Sequence, residues 1–171
     1  LYSEQINAAL KLLEKKPRKA VYYSFVLLEE GKMSTRTGNV VLLEEFMSEA
    51  LKKASEELKQ RYKKVDSRAA KIIGYGALKY AILKVSPEKN VIFNWQQALS
   101  FEGEASPYIQ YAYARVSSII KKNKKPLPKI ADFSLLSSKE EAELIKKLVM
   151  FPDIVGKVSS ELRPNIIANY A

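Results

Sequence analysis

The chain has 171 residues, is 47% apolar, and carries 29 Lys and Arg against 19 Asp and Glu, a formal charge of +10. It contains neither cysteine nor histidine, which excludes disulfides, thiol nucleophiles, zinc held by Cys or His, and histidine base catalysis. No apolar run approaches the ~20 residues of a membrane-spanning helix. The composition therefore fits a cytosolic globular chain with a polyanionic partner, for which ten tyrosines beside cationic groups offer stacking surfaces.

Residues 3–15 read as a helix, with Ile6, Leu10 and Leu13 at helical spacing and Pro17 closing it. Residues 21–28 are β-prone and lead into Gly31-Lys32-Met33-Ser34-Thr35-Arg36-Thr37-Gly38-Asn39. Glycines at both ends of this stretch favour a tight loop over a helix. Lys32 supplies a point charge and Arg36 a rigid fork, with the hydroxyls of Ser34 and Thr35 between them. From the residues alone the loop is either a phosphate clamp or a solvated basic turn. Its spacing is not that of a Walker loop.

From residue 44 onward the periodicity is helical. Phe46, Ala50, Ala54 and Leu58 share one face behind an acidic first turn. Asp66 or Ser67 caps a helix over 68–85, for which the pattern predicts a buried side of Ile72, Ile73, Gly76, Tyr80 and Leu83. Gly74 and Gly76 lie inside it at a propensity cost of about 1 kcal/mol each, a cost that close approach of a neighbouring helix would offset. After Pro87 come a short apolar run over 90–95, a helical turn over 96–99 and a loop over 101–104.

Pro107 then opens the clearest helix, 107–122. Ile109, Ala112, Val116 and Ile119 form an apolar stripe; Tyr108, Tyr111, Arg115, Ser118 and Lys122 form a second stripe of hydroxyls and positive charge. Gln110 suits either a base edge or a helix end, and Trp95 reads as core. Lys121, Lys122, Lys124 and Lys125 make a charged run into a Pro-containing linker. Ser138 and Glu141 form a capping box for a helix that should stop before Pro152. A short helix over 153–162 and a last one from Pro164 follow. The expected fold is mainly α: a helical bundle over 44–171, with its core built from the apolar stripes, behind a short α/β stub over 1–43. Both ends read as cuts.

The stretch Lys32-Met33-Ser34-Thr35-Arg36 resembles the second signature of the class I aminoacyl-tRNA synthetases, in its arginine-type variant. Three further stretches resemble the same family's helical region, in its order: Gly74-Tyr75-Gly76-Ala77-Leu78-Lys79-Tyr80, the run from Ser100 through Pro107-Tyr108-Ile109-Gln110-Tyr111 to Arg115, and Leu162-Arg163-Pro164-Asn165-Ile166-Ile167-Ala168-Asn169-Tyr170. The resemblance implies an arginine–tRNA ligase of the class I anticodon-binding type. Such an enzyme activates arginine with ATP, releases pyrophosphate and passes the arginyl group to the tRNA.

By the same resemblance, Lys32 and Arg36 are catalytic. Lys32, Ser34, Thr35 and Arg36 hold the ATP phosphates, with Mg2+ carried mainly by the nucleotide. Tyr108, Tyr111, Arg115 and Lys122 contact the tRNA for arginine. Thr35 stands where many relatives have a second lysine, and Thr37 where many have another, so which cation takes that charge is open. The family's first signature and its arginine-recognising residues would lie upstream. The implied parent is a cytoplasmic monomer without membrane contact, and this stretch alone is expected to be inactive. A non-enzymatic RNA-binding helical module is the alternative.

Overall fold

The computed structural model describes residues 2–28, 42–63, 65–123 and 132–171. The order is α1 (Tyr2–Leu12), β1 (Val26–Leu28), α2 (Leu43–Arg61), α3 (Ser67–Leu83), β2 (Val91–Phe93), α4 (Trp95–Ala98), α5 (Ser106–Lys122), a 3-10 turn at Phe133–Leu135, α6 (Lys139–Glu161) and α7 (Asn165–Tyr170). Helices dominate, as the periodicity predicts. No described helix is long and apolar enough to cross a membrane.

α1 ends earlier than Pro17. Glu14 adopts a left-handed backbone (φ 54°), and the amides of Lys15 and Glu14 donate back to the carbonyls of Leu10 (2.8 Å) and Lys11 (3.0 Å). That pair of bonds is a Schellman stop, here without the usual glycine. The strand expected over 21–28 shrinks to β1, because β2 offers three residues for pairing: Val26, Leu27 and Leu28 lie opposite Val91, Ile92 and Phe93 in parallel register. Before the ladder the Ser24 amide donates to the Pro87 carbonyl at 2.7 Å.

Parallel neighbours need a crossover, and α2 with α3 forms it. The predicted face of α2 is the observed one: Ala50, Ala54 and Leu58 are buried. On α3 the buried side is Ala70, Gly74, Ala77 and Leu78, rotated from the expected set, and Ile72 and Leu83 are exposed. The reason is size. Small residues let α3 lie close against α2, whereas a face of Ile72 and Leu83 would hold the backbones apart. An added Cβ at Gly74 would stand 2.6 Å from the Ala50 carbonyl oxygen.

The core gathers Ala50, Ala54, Ala77, Leu78, Phe93, Ala98 and Leu99, flanked by Val26, Phe46 and Trp95. Phe46, Phe93 and Trp95 meet with ring centroids 4.7–5.0 Å apart, which places Trp95 at the core edge as expected.

Two expectations fail farther on. α6 runs unbroken through Pro152 to Glu161, absorbing the separate helix expected over 153–162. The carbonyl that loses its helical donor belongs to Leu148, which is exposed, so water can satisfy it and the proline is tolerated. The stripes of α5 and α6 also do not form a core among the described residues: Val116, Ile119, Leu148 and Val149 are all exposed. The core comes from α2, α3, β2 and α4 instead. α6 ends at Leu162 in a left-handed cap (φ 57°), as the Ser138–Glu141 capping box begins it.

Candidate nucleic-acid interface

α5 starts from a buried root. Ser106 and Pro107 are both buried, with the proline in the first turn, where its missing N–H costs nothing. Gly103, at φ 70°, turns the preceding loop into that root. The Gln110 Nε2 donates to the Ile72 carbonyl of α3 at 3.1 Å, which settles Gln110 as a helix-to-helix contact.

Beyond the root α5 projects into solvent. Tyr108 and Tyr111 are 50% and 54% exposed, and Arg115 and Lys122 are exposed as well. At ~100° per residue these four fall within about 60° of arc, one face of the helix. Arg115 Nη1 donates to Tyr111 Oη at 3.3 Å, so a cationic fork and an aromatic ring are held side by side. Such a pair can stack a splayed base and meet a phosphate at once. Lys121 and Lys122 continue the cationic surface at the tip.

Beside Tyr108 lies a cavity of about 390 Å³ lined by Tyr80, Glu104, Ile109 and Asn169 among others. Burial, and then the nearby Glu104 carboxylate, push the Tyr80 phenol above its ordinary value. The sequence pattern did not bring Tyr80, Glu104 and Asn169 together, because they come from α3, a loop and α7. Lys32, Ser34, Thr35 and Arg36, expected from the sequence to hold the ATP phosphates, lie outside the described residues, as do Lys124 and Lys125. Among the described residues no cluster of acidic side chains could hold a metal ion.

The sequence of the family described as tRNA synthetases class I (R), catalytic domain, matches residues 2–95. The chain belongs to the class I arginyl-tRNA synthetases. A second family, the DALR anticodon binding domain, matches residues 109–171; Tyr111, Arg115 and Lys122 fall inside this arginyl-tRNA synthetase segment and Tyr108 adjoins it. The chain is 44% identical over 176 residues to an arginine–tRNA ligase of Methanocella arvoryzae, covering 100% of this chain and 31% of that one. It is 43% identical to that of Methanocaldococcus jannaschii, covering 99% and 30%.

Among solved structures, Thermus thermophilus arginyl-tRNA synthetase superposes with a TM-score of 0.85 at 31% identity, over 98% of this chain and 28% of that one. Plasmodium falciparum arginyl-tRNA synthetase shares the fold, with a TM-score of 0.72 at 23% identity over 97% and 30% of the two chains. The chain thus spans about a third of the length of the relatives it matches.

Proposed function

We propose that this chain is the part of an arginine–tRNA ligase that supplies the loop for the ATP phosphates and the platform for the tRNA anticodon stem-loop. The parent reaction joins ATP, L-arginine and the tRNA for arginine into arginyl-tRNA, AMP and pyrophosphate. The observation that carries the tRNA reading is the single exposed face of Tyr108, Tyr111, Arg115 and Lys122, with Arg115 bonded to Tyr111. Aromatic and cationic groups held together on a rigid helix suit single-stranded loops, where bases are unstacked and phosphates are close.

For ATP, the reading rests on side-chain chemistry. Lys32 and Arg36 supply positive charge and Ser34 and Thr35 supply hydroxyls, a donor set suited to a triphosphate. Lys32 and Arg36 would stabilise charge on the leaving pyrophosphate by electrostatics, without accepting a proton. Mg2+ would arrive with the nucleotide.

In functional terms we divide the chain at 43/44, with the ATP loop before and the tRNA-binding helices after. The parent works in the cytoplasm as a monomer, and the isolated chain neither activates arginine nor charges tRNA.

One binding experiment tests the tRNA role. The chain is titrated with the tRNA for arginine, and with that tRNA carrying a changed middle anticodon base, across a salt series. Affinity should fall with salt, with the base change and with Tyr111→Ala. Indifference to both the base and the substitution would remove the anticodon reading. Pyrophosphate exchange at full-length turnover from the isolated chain would remove the claim that it is inactive alone.

A further inference from the structure

We propose that Gln110 and Gly76 form the joint that aims α5, so that Gln110 is a positioning residue for RNA recognition. The inference rests on the reading of α5 as the RNA-facing helix. α5 is held at its root and, among the described residues, is bare beyond it: Ser106 and Pro107 are buried, whereas Tyr111, Tyr113, Val116, Ile119 and Ile120 are all more than half exposed. A helix fixed at one end is a lever. Gln110 and Lys122 are about twelve residues apart, or ~18 Å along the axis, so a tilt of about 10° at the root moves the tip by ~3 Å. That displacement is enough to break a hydrogen bond or unstack a base.

The joint has an unusual composition. The Gln110 Nε2 reaches the Ile72 carbonyl at 3.1 Å. That carbonyl lies inside α3 and already accepts the helical amide four residues on, so the glutamine adds a bond where none was missing. Its other amide atom, Oε1, is buried without a partner among the described residues, which costs stability. Gly76 makes the approach possible: a Cβ there would stand 2.3 Å from Gln110 Nε2 and 2.8 Å from Ser106 Oγ. A poor helix former on α3 and a half-satisfied amide on α5 are a costly way to add stability. They are an effective way to fix a direction, because the planar amide sits at one angle against one carbonyl.

The test uses this chain, whose lack of cysteine allows clean labelling at Lys52→Cys on α2 and Ile120→Cys near the tip of α5. Gln110→Leu removes both the added bond and the unpaired acceptor. We expect an unfolding midpoint equal to or above that of the parent chain, a shifted or broadened label-to-label distance, and about tenfold weaker binding to the tRNA for arginine. A residue that served only stability would leave binding untouched whenever the fold is intact.

Gly76→Ala should displace the same joint, so the double variant should bind no worse than the weaker of the two single variants. If Gln110→Leu fails to fold, Gln110→Met repeats the test with an unbranched side chain. A folded Gln110 variant with parental distance and parental tRNA affinity overturns the proposal. The underlying reading fails separately, when the parent chain shows no tRNA binding that Tyr111→Ala weakens. In that case the distance alone decides the joint: an unmoved α5 overturns it and a moved one supports it.

Discussion

Gly74 of α3 lies against the backbone of Ala50 of α2, so closely that a Cβ on Gly74 would meet the Ala50 carbonyl oxygen at 2.6 Å and its carbon at 2.9 Å. Backbone cannot swing aside as a long side chain can. Gly74→Ala should therefore destabilise the chain by about 1–2 kcal/mol, overpacking exceeding the helix-propensity gain. Gly156, inside α6, has nothing within 4 Å of the equivalent position, and Gly156→Ala should stabilise by about 0.5–1 kcal/mol. Urea midpoints of the two variants should move in opposite directions. A shared direction would remove the close-approach account of α3.

The same glycine marks what the sequence made legible. Two glycines inside one helix were readable as points of close approach, and both are, but to different partners: Gly74 meets α2 and Gly76 meets α5. The rotation of the α3 face was not readable. Hydropathy favours Ile72 and Leu83 for the interior, whereas contact distance favours Ala70, Ala77 and glycine, and distance decided. The polar face of α5 was legible because its spacing is regular and, among the described residues, nothing covers it. Its root was not, since Gln110 suits RNA and helix equally well on composition, and only the Ile72 carbonyl distinguishes them. Pro152 misled for a related reason: sequence shows the missing amide but not that Leu148, whose carbonyl it orphans, is exposed.

The elbow between α6 and α7 should be acid-sensitive. Arg163 Nη2 donates to both oxygens of Glu88, at 2.7 and 2.9 Å. A bond from Glu88's own backbone amide, and then the bond from Arg163, hold that carboxyl below its ordinary value. A depressed folded-state value means the contribution is fully present above the ordinary carboxylate range and is lost as pH falls through the folded one. Melting temperatures of the parent chain and of Glu88→Gln should therefore differ at neutral pH and converge in acid. A gap that widens on acidification would contradict the sign.

Phe93 should be the costliest single truncation in the core. It is 3% exposed and touches both Phe46 and Trp95 edge-on. Phe93→Ala removes those contacts and leaves a void that the short strand cannot close, so a loss of about 3–4 kcal/mol is expected. Trp95, the chain's one tryptophan, sits in the same cluster, and its fluorescence should report the loss directly. A loss below about 1 kcal/mol would mean that the cluster is not the organising core.

Salt dependence should separate the members of the α5 face. Lys122 ends the helix, exposed and remote from the root, and a contact there would be to phosphate. Lys122→Ala should then lower the slope of log affinity against log salt by about one, with similar effects on all tRNAs. Tyr111 carries no charge, so Tyr111→Ala should weaken binding at every salt concentration while leaving the slope in place, and should reduce discrimination at the anticodon. Arg115 stands between the two. Its guanidinium bonds the Tyr111 hydroxyl at 3.3 Å, so Arg115→Ala removes a charge and releases the ring together and should move both slope and discrimination. Arg115→Lys should restore the slope alone, because an ammonium supplies the charge without the planar fork. If all three alanine variants changed only the slope, α5 would be a non-specific cationic surface and its tyrosines would have no part in reading bases.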